Sequence, residues 1–178
     1  GIIIDTLVNN AGFGAAGRIA QTDPMRQASQ VEVNCEAIVH LCGLLLPGMI
    51  AAKHGSIINV ASTAAFQPIP QFATYAASKS FVLSFTRALW AETNGTGVRA
   101  TAICPGPTET GFFDAAGVPR MGAGARRNPD DVVHTALDAL AHHRPYAVDG
   151  FINRTVARLV PHLPARLVMA QAEKYLQA

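Results

Sequence analysis

Residues 56–80 read SIINVASTAAFQPIPQFATYAASKS and join a predicted strand to a predicted helix. The strand, residues 56–61, is mostly apolar, which is typical of a buried parallel strand. A polar loop with two prolines follows, and a long helix then extends from about Phe72 to Thr93. Ser62 closes the strand, and in parallel α/β sheets ligands bind beyond the carboxyl ends of the strands.

Tyr75 and Lys79 are four residues apart near the start of that helix, so their side chains share one face. A tyrosine is ordinarily a poor base, with a pKa of about 10. A nearby ammonium favours the phenolate, and we therefore expect Lys79 to lower the pKa of Tyr75. Tyr75 can then exchange a proton with a substrate oxygen near neutral pH, with Ser62 as a neutral donor to the same oxygen. The Tyr-x-x-x-Lys spacing is also common on solvated helices, and it is Ser62 that favours the catalytic interpretation.

Strands and helices alternate on both sides of this stretch. Further strands are predicted at residues 2–9, 98–104 and 145–148. Further helices are predicted from Asp23-Pro24 to about Lys53 with a kink at Pro47, from Pro129 to about His142, and at about 150–160 and 164–177. This alternation predicts a single α/β domain over residues 1–178, with a parallel sheet and right-handed crossovers.

Residues 9–18, NNAGFGAAGR, contain a G-x-G-x-x-G spelling that begins at Gly12. A pyrophosphate loop needs a helix that opens at its third glycine and an acidic residue about twenty positions on. Gly17 is instead followed by RIAQTDP, and both Glu32 and Glu36 fall within a helical pattern. We therefore interpret the stretch as a flexible loop between strand and helix whose small residues permit a close approach.

The composition is that of one folded domain, because 49% of the 178 residues are apolar and 15% are charged. The net charge of +2 gives no argument for a nucleic-acid partner. The scattered Cys35, Cys42 and Cys104 fit a reducing cytoplasm. We find no apolar run of transmembrane length, no signal-peptide layout and no metal-ligand spacing, since His142-His143 lacks a third ligand.

The motifs together resemble the short-chain dehydrogenase/reductase family. In order, the matching pieces are Asn9-Asn10-Ala11-Gly12, Asn34 in VEVNCEA, Ser62 in NVAST, Tyr75-Ala76-Ala77-Ser78-Lys79, and Pro105-Gly106-Pro107-Thr108-Glu109-Thr110. The stretches ASTAAFQP and CPGPTETGFF are more similar to the bacterial ketone or ketoacyl reductase-like members. The resemblance covers residues 1 to about 135 and implies a Rossmann-like, doubly wound parallel sheet. Only the carboxyl-terminal part of that fold is expected, with the first three strands missing.

The resemblance implies hydride transfer between NADP or NAD, with NADP favoured, and a carbonyl or secondary alcohol. Tyr75 would be the general acid/base, Lys79 would lower its pKa and hold the nicotinamide ribose, and Ser62 would polarise the carbonyl. Asn34 would sit at a helix distortion and anchor a water that links Lys79 to solvent. The implied cofactor-binding residues are Asn10, Ala11 and Gly12 on the adenosine side, Tyr75 and Lys79, and Pro105, Gly106, Thr108 and Thr110 beside the nicotinamide and its phosphates.

The chain departs from the family at both ends. The family's phosphate loop lies on a first strand that this sequence does not contain, so we expect a fragment of a longer enzyme, or weak cofactor binding if the chain is complete. Residues 151–178 predict a helical extension that covers the domain, with a partner or membrane-surface helix as the alternative. Its apolar positions are Leu167, Val168, Ala172, Tyr175 and Leu176.

The resemblance also implies a small-molecule substrate, a cytoplasmic location, and a homodimer or homotetramer that pairs the helices near residues 34–53 and 72–93. Phe112, Phe113 and Met121 resemble the family's mobile substrate loop, although an ordinary surface loop remains an alternative. Arg126 and Arg127 either meet an anionic substrate group or are solvated. Two other functions stay open: a truncated, non-catalytic member of the family, and a binding or scaffolding domain.

Overall fold

The computed structural model describes residues 3–118 and 126–177, and the side chains up to residue 174. Within these residues four parallel strands form one sheet in the order β1-β2-β3-β4. The strands are β1 Thr6–Asn9, β2 Gly55–Val60, β3 Val98–Cys104 and β4 Tyr146–Val148. Because parallel neighbours need a crossover connection, a helix follows each of the first three strands. The predicted α/β fold with a parallel sheet is therefore confirmed.

The helices lie close to their predicted bounds. They are α1 Pro24–Val31, α2 Ala37–Ala52, α3 Ala73–Glu92, α4 Phe112–Ala115, α5 Pro129–Ala141, α6 Phe151–Leu159 and α7 Ala165–Gln177. Asp23 caps α1 by accepting a hydrogen bond from the Met25 amide, and Pro24 occupies the first turn. Asn128 caps α5 in the same way, ahead of Pro129.

Helices cover both faces of the sheet. On one face α2 and α3 pack against a cluster that includes Ile57 and Ala102. On the other face α5 contributes Ala136 and packs against Ile58, among other residues. Because successive residues of a strand point to opposite faces, the adjacent Ile57 and Ile58 serve the two layers. Because β2 is apolar on both of its faces, helices can pack on both sides of the sheet, which is the predicted doubly wound arrangement.

A π-helical turn, Glu32–Glu36, joins α1 to α2 and is centred on Asn34. The helix distortion that the resemblance implies at Asn34 is therefore present. At Pro47, where the sequence predicted a kink, the helix α2 is not interrupted. By length and composition alone, Pro24–Ala52 would be able to cross a membrane. No apolar run of transmembrane length was expected from the sequence. The core helices of soluble proteins also meet this criterion, and Ile38 of α2 packs in the core.

Two elements differ from the prediction. The first strand starts at Thr6 rather than residue 2, because its register places Thr6 opposite Ser56, near the start of β2. The short helix α4 lies in a segment predicted as loose. Met121, which was assigned to the substrate loop, lies outside the described residues.

Candidate active site

The loops that leave β2 and β3 are bonded side by side at the carboxyl edge of the sheet. The Ala61 amide donates to the Ile103 carbonyl, and the Thr63 amide donates to the Pro105 carbonyl, both at 2.8 Å. Parallel strands bring their carboxyl ends to one edge, and these two bonds extend the pairing into the loops. Ser62, between the two donors, therefore lies beside the Pro105-Gly106-Pro107 turn.

The structure brings Ser62, Tyr75 and Lys79 together. The Ser62 hydroxyl accepts a hydrogen bond from the Ala64 amide at 3.1 Å, and it lies near enough to the Tyr75 phenol to lower the pKa of that group. Lys79 lies one turn after Tyr75 on α3, and its Nζ is 5.8 Å from the centroid of the Tyr75 ring. The same Nζ donates to the Val60 carbonyl at 2.7 Å, which ties it to the end of β2.

Burial dominates the proton affinities of this group. Desolvation raises the pKa of Tyr75 to about 12, although the hydrogen bond with Ser62 lowers it. Burial lowers the pKa of Lys79 to about 8, while interaction with Cys35 and Cys104 opposes that shift. The expected net lowering of the Tyr75 pKa is therefore wrong, because desolvation of the buried phenol outweighs the effect of the Lys79 ammonium, which is bonded to Val60.

Asn34 links the loop after β1 to the helix that carries Tyr75. Its Oδ1 accepts from the Phe13 amide at 3.1 Å, and its Nδ2 donates to the Phe13 carbonyl and to Ser78 Oγ, each at 3.0 Å. Ser78 Oγ in turn donates to the Tyr75 carbonyl at 2.8 Å. Asn34 is fully buried, so these bonds fix the loop relative to α3. Its role in anchoring a water stays a prediction.

The Asn-Asn-Ala-Gly stretch divides into a buried and an exposed part. Asn9 is buried, and its Nδ2 donates to Asn59 Oδ1 at 2.8 Å. Asn59 Nδ2 donates to Thr86 Oγ1 at 2.9 Å, so the two asparagines connect β1 and β2 to α3. Sequence reasoning missed this pairing, although an asparagine inside the apolar strand SIINVA was a visible signal. Asn10, Ala11 and Gly12 lie exposed beyond β1.

Gly12 meets a close approach that excludes other residues. A Cβ at this position would lie 2.9 Å from Asn34 Oδ1 and 3.5 Å from Lys79 Nζ. Glycine therefore keeps the edge of the site beside the ammonium open to a ligand. An exposed main chain at the tips of the strands, next to a buried ammonium, fits the ribose and phosphate groups of a dinucleotide.

The turn after β3 is also bonded to Arg127, which was not predicted from the sequence. The Arg127 amide donates to the Pro107 carbonyl at 2.8 Å, and the Glu109 amide donates to the Arg127 carbonyl at 2.9 Å. The Arg127 guanidinium bonds the buried Asp149 carboxylate at 2.8 Å. Burial alone would raise the pKa of Asp149, yet hydrogen bonds from Arg127 and Thr135 bring it below its usual value. Arg127, whose side chain is 38% exposed, is therefore ion-paired within the chain, with Asp149 and with Asp131, rather than simply solvated.

The other residues predicted around this turn differ in exposure. Pro105, Gly106 and Thr108 are half-buried, and Thr108 Oγ1 donates to the Gly106 carbonyl at 2.9 Å. Thr110 is exposed, and its hydroxyl accepts from the Phe112 amide at 3.3 Å, which caps α4. The structure places all four on one continuous loop beside Ser62.

Aromatic rings enclose the Tyr75 phenol. The ring centroids of Phe72 and Phe112 lie 4.7 Å and 5.1 Å from that of Tyr75. Arg126 lies over the Phe113 ring at 4.7 Å, next to this group. Ala172 of α7 belongs to the same apolar cluster as Tyr75, so the last helix packs beside the site.

We expect Lys79 to make stability depend on pH. Its pKa is about 8 in the folded chain and 10.5 as a reference, so between these values the unfolded chain binds more protons and stability rises with pH. The contribution of Lys79 to the free energy of unfolding should increase by about 1 kcal/mol from pH of about 8 to about 9. The buried thiols of Cys35, Cys42 and Cys104, whose pKa values burial raises, oppose it over the same range, so the contribution is read as the difference between wild type and Lys79→Met in urea unfolding at both pH values. The control Lys174→Met, on an exposed side chain, should keep the pH dependence of the wild type, and an equal pH dependence in wild type and Lys79→Met contradicts the assignment.

Comparison with known proteins gives three consistent findings. A family model described as short chain dehydrogenase matches residues 3–118. D-beta-hydroxybutyrate dehydrogenase from Cupriavidus necator is 41% identical over 102 residues, which cover 57% of this chain and 40% of that protein. The chain spans about half the length of the curated relatives it matches.

Two solved structures resemble the fold closely. A short-chain dehydrogenase from Sphingobium yanoikuyae in complex with NADPH has a TM-score of 0.76 and 26% identity, with 82% of this chain and 57% of that chain covered. A 3-oxoacyl-[acyl-carrier protein] reductase with bound NAD from Brucella melitensis has a TM-score of 0.69 and 30% identity, with 83% of this chain and 61% of that chain covered.

Proposed function

This chain belongs to the short-chain dehydrogenase family, and from that premise we propose that it transfers a hydride between NADP or NAD and a carbonyl or secondary-alcohol substrate. The observation that carries the proposal is the buried Tyr75 phenol beside Ser62, with Lys79 one turn along the same helix. The NADPH and NAD of the two related structures support the class of cofactor.

The reduced dinucleotide supplies, when bound, the hydride that reaches the substrate carbon. Tyr75 donates its proton to the carbonyl oxygen as that oxygen gains negative charge. With its pKa raised to about 12, the phenol keeps its proton at neutral pH and can act as the acid. The Ser62 hydroxyl donates a hydrogen bond to the same oxygen and stabilises its charge. The Lys79 ammonium stabilises the phenolate that remains.

Three parts of the chain would hold the cofactor. Asn10, Ala11 and Gly12 would contact its adenosine side, and Lys79 with Tyr75 would bind the nicotinamide ribose. Pro105, Gly106, Thr108 and Thr110 would border the nicotinamide and its phosphates. The likeness to reductases favours NADP over NAD. The bonds of Asn34 to Phe13 and Ser78 would keep the first of these parts in place beside α3.

Phe72 and Phe112 support a water-poor site, because their rings pack on the Tyr75 ring. Excluding water strengthens the interaction of Ser62 and Tyr75 with a developing oxyanion. The names of the two relatives that act on 3-oxo and 3-hydroxy compounds support a ketone or secondary alcohol as substrate.

We also propose a cytoplasmic homodimer or homotetramer built on the outer faces of α2 and α3. Val39, Leu41 and Leu44 are exposed on α2, and Phe81 is exposed on α3. Apolar side chains exposed along neighbouring helices are typical of interfaces between subunits.

Oxidation of NADPH and NADH in the presence of a panel of ketones tests the function, together with cofactor titration by fluorescence. Ser62→Ala should lower kcat by on the order of 10²-fold, because one oxyanion donor is lost. Ser84→Ala, on an exposed serine of α3, should leave it unchanged. Cofactor binding without turnover would favour a non-catalytic member of the family, and absence of binding would favour a scaffolding domain.

A further inference from the structure

The helix α6 presents an apolar face to solvent. Ile152, Val156 and Leu159 follow the spacing i, i+4, i+7 that defines one side of a helix, and Phe151 adjoins them. Phe151 is 81% exposed, Ile152 77% and Leu159 58%. Side chains of this size normally pack in a core, so a contiguous exposed row of them marks an interaction surface.

Exposed apolar side chains continue beyond α6. Leu163, in the extended stretch between α6 and α7, and Leu167, in the first turn of α7, are also exposed. We call the segment from residue 151 to residue 167 the C-terminal arm. Only one face of α6 is attached to the domain: Ala157 is buried, and Asn153 donates to the Asp149 carbonyl at 2.9 Å. The opposite face therefore has no partner among the described residues.

The charge of this region has a single sign. Residues 150–172 contain Arg154, Arg158 and Arg166 and no aspartate or glutamate. Arg154 and Arg158 are four residues apart, so they form a row along α6 beside the apolar face, and both are exposed. The segment thus carries +3, whereas the whole chain carries only +2. A surface that complements the arm must be negatively charged and must also accept apolar side chains.

The exposed apolar face of α2 differs in this respect. The stretch of residues 24–52 carries Arg26, Glu32 and Glu36, so its charges sum to −1. The apolar side chains of α2 therefore have no accompanying cationic row, and this face suits a neutral protein surface. Among residues 3–118 and 126–174, whose side chains the structure describes, the C-terminal arm is the segment that combines large exposed apolar side chains with a row of arginines.

We propose that the C-terminal arm binds the surface of an anionic lipid bilayer. A helix with Phe, Ile and Leu on one face and arginines beside it lies in the plane of the interface, with the apolar side chains among the acyl chains. The arginine guanidinium groups meet the lipid phosphates, and each cation near such a surface adds to the affinity in a salt-dependent manner. Ala157 and Asn153 hold α6 on the domain, so the protein docks as a folded unit.

Flotation with phospholipid vesicles tests the proposal and needs no enzymatic activity. The probes are vesicles of phosphatidylcholine with phosphatidylglycerol and vesicles of phosphatidylcholine alone, at low and high salt. The protein should float with the anionic vesicles only, and less so at high salt. Arg154→Gln with Arg158→Gln should lower the partition coefficient by about 30-fold. Arg99→Gln with Arg144→Gln removes the same charge elsewhere and should have little effect.

A second pair of variants examines the apolar contribution. Ile152→Ser should weaken flotation strongly, whereas Leu137→Ser, which alters an exposed leucine of α5 outside both proposed surfaces, should not. Because both side chains face solvent, both variants should unfold at the wild-type temperature. Flotation that is absent, or lost equally in the control variants, overturns the proposal. If the protein does not float with any vesicles, and a dimer of the wild type is lost only in the variants of α6, the proposal is overturned and the arm is an interface with a second copy of the chain.

Discussion

Tyr75→Phe is expected to lower kcat by on the order of 10²- to 10⁴-fold, because the proposed function assigns to the Tyr75 phenol the proton that reaches the substrate oxygen. The variant keeps the ring, and with it the packing against Phe72 and Phe112 at 4.7 Å and 5.1 Å. It loses only the phenol hydroxyl. We therefore expect an unfolding temperature close to that of the wild type. Steady-state kinetics with a ketone, beside a thermal melt, measure both.

Tyr146→Phe provides the matched control for this change. Tyr146 is a half-buried tyrosine on β4 whose ring contacts Phe66 at 6.1 Å between centroids, away from the Ser62 hydroxyl. Removing the hydroxyl of Tyr146 should leave kcat unaltered. Turnover that survives in Tyr75→Phe, or that falls equally in both variants, would remove Tyr75 from its role as the acid while leaving the family assignment intact.

Gly97→Ala is expected to lower the free energy of unfolding by about 3–5 kcal/mol, from backbone strain and a collision together. Gly97 has φ of +86°, a left-handed conformation that disfavours a side chain. A Cβ there would also overlap the main-chain oxygen of Lys53. Lys53 ends α2 and leads directly into β2, so neither backbone can move without disturbing the sheet. Urea unfolding followed by circular dichroism measures the loss.

Gly95→Ala separates strain from collision within the same turn. Gly95 has φ of +77°, but a Cβ there meets nothing within 4 Å. Only the conformational cost applies, so we expect a loss of about 1 kcal/mol. If the two variants lose the same free energy of unfolding, the overlap with the Lys53 main chain is relieved without an energetic cost.

The residues of the site could be predicted because their spacing is local. Tyr75 and Lys79 share a helix face whatever the rest of the fold does, and Ser62 follows an apolar strand that had to be buried. Asn34 was found only through the family resemblance, since nothing in its neighbours indicates a π-helical turn. The pairing of Asn9 with Asn59 joins residues that are 50 positions apart, so spacing along the chain carries no trace of it.

The proton affinities could not be predicted in the same way. Sequence reasoning considered one charge near the phenol, whereas desolvation by Phe72, Phe112 and the rest of the cluster outweighs that charge. Likewise Arg127 looked like an isolated surface cation until the fold placed it against Asp149, 22 residues away. Burial and long-range ion pairs are properties of packing, and no local pattern contains them.

The amino-acid order by itself determined the alternation of strands and helices, their parallel sheet and the convergence of Ser62, Tyr75 and Lys79, because apolar periodicity and helix caps act over a few residues. The tertiary structure alone decided which groups lose contact with water: it buried the phenol, bonded the ammonium to Val60, and left the row of Phe151, Ile152 and Leu159 exposed. Solvation depends on what covers a side chain, and that is settled only when distant segments pack together.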